Sequence, residues 1–209
     1  MQHKAYWNMV AGDRKFTIPV SMELFRERLT PDSAILDFGC GYGRVLEELN
    51  RNGFLNLAGV DISEKMIEIA KTNLPNVDFK INNGVDIPYE DSYFEAVIIS
   101  AVLTCISGND DQKKLITEIK RVLKPGGIVI IYDFLINDDQ RNLDRYDKYK
   151  QKHGTYGIFE LDDGVTLRHH RLEWIDELTS TFTKVLFEKK TFVTMNDHNA
   201  NGFCFVGKN

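Results

Sequence analysis

From residue 33 to about residue 135, short apolar runs rich in β-branched residues alternate with longer stretches whose apolar positions recur every three or four residues. AILDF (34–38), LAGVDI (57–62), VDFKIN (77–82), FEAVIIS (94–100) and IVIIYDFL (128–135) read as five strands. GRVLEELNRN, after the first, reads as a helix that Gly53 stops from a C′ position. Ser63 stands where an N-cap belongs for SEKMIEIAKTN, and Pro75 ends that helix. DQKKLITEIKRVL carries Leu115, Ile116, Ile119, Val122 and Leu123 as one buried stripe, and Pro125-Gly126-Gly127 breaks it.

Strands separated by helices of this length cannot pair as hairpins. They need right-handed crossovers, which predicts an α/β fold with a parallel sheet covered by helices on both faces. The unbroken apolar character of VIIS and IVIIY agrees, because such strands are covered on both sides. The rhythm changes after residue 136, where a polar, aromatic-studded insert (136–170) replaces it. A helix around LEWIDELTSTF follows, with Ile175, Leu178 and Phe182 on one face. KVLFEKKTFVTM and GFCFVGK, joined by the short loop NDHNAN, predict a closing antiparallel hairpin.

The candidate chemistry lies where the first strand meets its helix. Asp37 ends an apolar run, and Gly39, Gly41 and Gly43 follow at alternate positions, as if the backbone had to meet a ligand without Cβ interference. In an open parallel sheet this loop lies at the ligand edge. The spacing is not G-x-G-x-x-G, and an anionic Asp37 suits a ligand bearing an ammonium or sulfonium better than a pyrophosphate. Asp61, ending the second strand, can accept hydrogen bonds from both hydroxyls of a ribose. That feature serves a nicotinamide dinucleotide as well, so it supports a nucleoside without choosing one.

Composition narrows the partners. With 43% hydrophobic and 27% charged residues, the chain can bury one full core. No apolar run approaches the length of a membrane span, and the first residues lack a secretion-signal pattern. The net charge is −5 with no basic block, which disfavours nucleic acid and favours a small-molecule partner. Cys40, Cys105 and Cys204 form neither a disulfide framework nor a zinc pattern, so a cytoplasmic location is expected. Cys40 reads as a small loop residue rather than a nucleophile.

ILDFGCGYGRVLEEL, LAGVDIS, NNGVDIPYEDSYFEAVIISAVL and EIKRVLKPGGIVIIYDF, in this order and spacing, resemble the class I S-adenosylmethionine-dependent methyltransferases. The resemblance implies a three-layer, Rossmann-like, seven-stranded sheet, mostly parallel, with a C-terminal antiparallel hairpin. It implies S-adenosylmethionine as cofactor and in-line transfer of its methyl group. It also implies that Asp37, Gly39, Cys40, Gly41 and Gly43 hold the methionine moiety, that Asp61 takes the ribose, and that Ile62 packs on the adenine. Asn83 and Gly84 would contact the adenine edge in place of the family's usual Asp-Ala. Ser100 and Ala101 would line the methyl-transfer site. The D/N-P-P-Y/F arrangement that marks methylation of amino groups on bases or glutamine is absent after the fourth strand.

The remaining expectations concern the cover. One domain is expected over 1–209, with residues 1–30 as an N-terminal lid and 136–170 as a water-excluding insert walled by Tyr146, Tyr149, Tyr156 and Phe159. Tyr6 and Trp7 read either as part of the lid or as ordinary packing. His169 and His170 are the candidate general bases, and Asn196 or His198 could reach the rim. Adjacent histidines diverge on any regular backbone, so no metal site is expected at RHHRLEW. The alternatives are a nicotinamide-dependent reductase and a catalytically silent domain that binds S-adenosylmethionine as a sensor or scaffold.

Overall fold

A computed structural model describes residues 2–209; Met1, first residue of the expected N-terminal segment, lies outside them. Seven strands form one sheet. The strands β1 (Ile35–Phe38), β2 (Leu57–Asp61), β3 (Asp78–Ile81), β4 (Phe94–Ser100) and β5 (Leu123–Phe134) run parallel, and β8 (Thr183–Val193) and β9 (Asn199–Lys208) close the edge antiparallel. The spatial order is β3-β2-β1-β4-β5-β9-β8. The order reverses between β1 and β4, which places a ligand crevice at the carboxyl ends of those two strands.

Strand periodicity divides the core in two. In β4, Ala96 and Ile98 pack with Leu46, Leu49 and Ile67, while Val97 and Ile99 pack with Leu115, Ile116 and Ile119. Helices α2 (Met22–Arg28), α3 (Arg44–Arg51) and α4 (Glu64–Asn73) therefore cover one face. Helices α5 (Asn109–Val122) and α7 (Leu172–Leu178) cover the other. Ser63 caps α4 as expected, its hydroxyl accepting from Met66 N. No helix among the described residues is long and apolar enough to cross a membrane.

Two elements differ from the sequence reading. Strand β5 begins at Leu123, directly after α5, because Leu123 is buried and pairs with Phe94. The Pro-Gly-Gly run loops out within the strand, so Ala96 next faces Ile128. The insert is also more ordered than its polarity suggests. It folds as α6 (Gln140–His153) followed by a two-stranded sheet of β6 (Ile158–Glu160) and β7 (Thr166–Arg168). The N-terminal segment forms α1 (Gln2–Val10) before α2. It is tied to the insert by Asp163, whose carboxylate accepts from Tyr6 Oη (2.8 Å) and pairs with Arg14.

Candidate cofactor and acceptor site

The β1–α3 turn is left-handed at Gly39, Gly41 and Gly43, with φ of +74°, +54° and +88°. A Cβ on Gly39 would lie 2.4 Å from Val102, and one on Gly41 2.4 Å from Phe16. Bare main chain is thus required by backbone conformation and by protein neighbours, before any ligand is considered. Asp61 organises this loop from below. Its Oδ2 accepts from Gly41 N (2.9 Å) and its Oδ1 from Ser63 N (2.8 Å). Burial raises the Asp61 pKa, opposed by those backbone N–H groups.

Asp37 is as deeply buried, yet no hydrogen bond to its carboxylate is found among the described residues. Burial pushes its pKa to about 7; Arg44 pulls it down and Asp61 adds to the rise. A buried, unbonded carboxylate is costly unless a cation meets it. Cys40, between them, is held as a thiol by burial and by both carboxylates. Its structural context supports no nucleophilic role.

These groups open on a cavity of about 470 Å³, within the range for small-molecule sites. Asp37, Gly39, Cys40, Asp61, Ile62, Gly84, Ser100 and Ala101 all line it. Gly41 and Gly43 shape the turn without lining the cavity. Asn83 is exposed and turned away; Asn82 lines the cavity instead, buried, with Nδ2 donating to Gly84 O (2.8 Å) and Oδ1 without a partner. Ala101 adopts φ +57°, an unusual conformation for a residue with a Cβ, and no feature of the sequence signals it.

The far wall comes from the N-terminal segment, the insert and the β8–β9 loop. Tyr6, Trp7 and Arg14 line it, as do Asn196 and, from α6, Arg141 and Arg145. Among the four aromatic residues expected as walls, Phe159 reaches the cavity; Tyr146 is fully buried behind it, and Tyr149 and Tyr156 lie elsewhere. His198 is not in the lining. Nothing in the sequence singles out the arginines at 141 and 145. Their i, i+4 spacing puts them on one face, but only once residues 140–153 are known to be a helix.

The two histidines part company. His170 must be taken out of the site: it is fully buried, with Nε2 2.9 Å from Gln112 Nε2 and Nδ1 facing Phe134 O (3.1 Å). Burial and Arg168 depress its pKa to about 3. His169 lines the cavity. Its tautomer follows from the hydrogen-bond network. Asn201 N donates to Asn137 Oδ1 (2.7 Å) and Asn137 Nδ2 donates to Leu135 O (2.9 Å), which fixes the amide's orientation. The second Nδ2 proton is then directed at His169 Nδ1 (3.2 Å). The Tyr146 hydroxyl accepts from Asn137 N (3.3 Å) and lies within hydrogen-bond distance of the same ring nitrogen. His169 Nδ1 is an acceptor, so the ring proton sits on Nε2.

Burial, with Arg145 and His170 nearby, holds the His169 pKa well below the ordinary histidine value. The ring is therefore a neutral donor rather than a base. Nitrogen-15 NMR between about pH 5 and pH 8 should find it uncharged and protonated on Nε2 throughout. A titration centred near 6.5 would return the ring to the role of a base.

Residues 36–131 match the family described as "Methyltransferase domain". A tRNA (carboxymethyluridine(34)-5-O)-methyltransferase of Arabidopsis thaliana is 40% identical over 107 residues, covering 51% of this chain and 25% of that protein. An O-methyltransferase of Aspergillus nomiae is 29% identical over 147 residues, covering 65% of this chain and 63% of its own. The chain thus spans between a quarter and just under two thirds of these relatives' lengths. Among solved structures, a SAM-dependent methyltransferase of Methanosarcina mazei superposes with a TM-score of 0.85 at 23% identity, covering 91% of this chain and 98% of the other. At that identity it speaks for the fold, and the fold agrees. With the shared sheet order and a buried acid on each side of the glycine turn, the chain carries a match to a methyltransferase domain over residues 36–131, on a Rossmann-like methyltransferase fold.

Proposed function

We propose that this protein transfers the methyl group of S-adenosylmethionine to a small-molecule acceptor. One observation carries the reading: a single cavity joins the acidic turn at Asp37 and Asp61 to a compartment roofed by the N-terminal segment and the insert. When bound, the cofactor supplies a methyl group already activated on a sulfonium. The chain's own work is then to align and to exclude water, which can contribute on the order of 7–11 kcal/mol. Asp37 would hold the ammonium and Asp61 the ribose. Asn82, rather than Asn83, would meet the adenine edge, since its buried Oδ1 lacks a donor. Tyr6, Trp7 and Phe159 would act as the cover. Three unpaired cysteines support a reducing, cytoplasmic setting.

Neither the nicotinamide reading nor a silent binding domain is favoured, given the matched methyltransferase domain and the two-ended cavity. A tRNA acceptor is the second reading, because the Arabidopsis relative acts on tRNA. Calorimetry with S-adenosylhomocysteine and NADH, followed by radiolabelled methyl transfer into separated metabolite and tRNA fractions, tests all of these. Label in the metabolite fraction is expected. Label confined to tRNA would replace the small-molecule reading, and failure to bind S-adenosylhomocysteine would end the proposal.

Asp37 gives a pH signature. Its folded-state value of about 7 lies above the ordinary 3.8, so the folded chain binds the extra proton between these values. This group's contribution to stability without ligand therefore falls as pH rises from about 4 to about 7. A ligand ammonium needs the carboxylate, so affinity for S-adenosylhomocysteine should rise about tenfold per pH unit below 7 and level off above it. Asp37→Asn should flatten that slope. A slope unchanged in the variant would place the titrating group elsewhere.

A further inference from the structure

We propose that the compartment beyond the transfer edge is built to hold an oxyanion, so that the acceptor is a small acid: a carboxylate or phosphate on an apolar body. The proposal deepens the reading above and rests on it for the identification of the bound acid as the methyl acceptor.

Arg145 is the central observation. It sits half-buried on α6 with its guanidinium 3.8 Å over the Phe159 ring. Asn142 Oδ1 accepts one of its protons, and its Nε is buried without a partner. No carboxylate lies within ion-pair distance of it among the described residues. Arg14, which reaches the cavity from the N-terminal segment, is paired with Asp163. Burying a cation without a counter-charge is costly, and aromatic stacking with one amide repays part of that cost. An incoming oxyanion would supply the rest.

Two further donors converge on the same place. Arg141 is one turn earlier on α6, lines the same cavity and is held 3.6 Å from Asp139. His169, in contact with Phe159 (ring centroids 4.9 Å apart) and stacked on Phe134 (5.3 Å), presents Nε2–H. Leu161, Val165 and Leu167 complete an apolar surround. The cavity's charges are thus unevenly placed, with Arg44 beside Asp37 at the turn. Asp37 and Asp61 make one end acidic, fit for a sulfonium and an ammonium. The arginines and the histidine donor make the other end fit for an anion. An acid nucleophile also arrives ionised, so its methylation needs no general base.

The experiment titrates 3-phenylpropanoate, 3-phenylpropanamide and 2-phenylethyl phosphate into the protein, alone and saturated with S-adenosylhomocysteine. An anionic probe should bind at least about tenfold tighter than the amide, and its identity as carboxylate or phosphate names the oxyanion. Arg145→Met should abolish that preference, Arg145→Lys should restore part of it, and both should keep S-adenosylhomocysteine affinity within about twofold. If Arg145→Met does not fold, Arg141→Met makes the same comparison. Equal binding of acid and amide overturns the proposal, as does a preference that survives Arg145→Met. A loss of S-adenosylhomocysteine affinity in Arg145→Met would assign the arginine to the cofactor and overturn the proposal too. Acid preference in a protein that never binds S-adenosylhomocysteine would uphold the oxyanion site and sink the methyltransferase reading instead.

Discussion

Asp61→Ala should weaken S-adenosylhomocysteine binding by about 10- to 100-fold, the equivalent of roughly 1.5–3 kcal/mol for a lost charged hydrogen-bond acceptor. It should also lower the melting temperature of the unliganded protein, which a residue serving the ligand alone would not do. The reason is the pair of backbone donors that Asp61 satisfies. Gly41 N and Ser63 N are both buried against its carboxylate, and alanine would leave both without an acceptor. An orphaned buried donor costs about 1–3 kcal/mol, partly offset here because a desolvated carboxylate is removed as well. Asp61→Asn separates the two roles. Its single amide oxygen can keep one backbone donor, so stability should fall less than in the alanine variant while affinity still drops. Calorimetry and thermal melts on the three proteins decide it. An alanine variant that binds S-adenosylhomocysteine as tightly as the parent would remove Asp61 from the nucleoside site.

The double role of Asp61 marks where sequence reading ends. The five parallel strands are legible because each face of β4 and β5 carries its own apolar set, and both patterns survive in the two halves of the core. The insert is not legible. Only Asn142 and Tyr146 of α6 are buried, and three-residue strands such as β6 and β7 are too short to show alternation. The glycine turn is visible as a motif, but its cause is not. Phe16 and Val102, which exclude a Cβ there, are remote in sequence from the turn.

Single-residue shifts are similarly hidden. Asn82 and Asn83 are identical in type, and whether the first or second points inward depends on where β3 ends. For His169 and His170, adjacency implies divergence. Which ring meets the cavity is set by Asn137, Tyr146 and Gln112, far apart along the chain. Arg145 is the least legible of all. A helix arginine in a polar stretch reads as solvated surface, and only the fold shows it half-buried with its Nε unpartnered among the described residues.

Gly157→Ala should cost about 3 kcal/mol or more of stability, a fall of roughly 6–12 °C in melting temperature for a chain of this size. Gly157 has φ +98°, and its added Cβ would stand 2.2 Å from His169 O and 2.7 Å from Ile136 Cδ1. The left-handed backbone alone costs about 1–2 kcal/mol for a residue with a Cβ. The overlap adds to it, because a carbonyl in a bonded segment cannot swing aside as a side-chain end can. His169 N donates to Gly157 O (2.9 Å), so the two residues must move together. The move would displace the ring that presents Nε2–H to the cavity. Gly164→Ala is the internal control, since it too is left-handed at φ +88° but has open space where the Cβ would go. Its cost should be limited to backbone strain, so the Gly157 variant should lose at least about twice as much melting temperature. It should also lose discrimination between acid and amide probes while still binding S-adenosylhomocysteine, because the turn at Asp37 and Asp61 belongs to different strands. Equal losses in the two variants would mean that the β6–β7 hairpin yields freely around His169. The neutral donor at the anionic end of the cavity would then not be held in place by this contact.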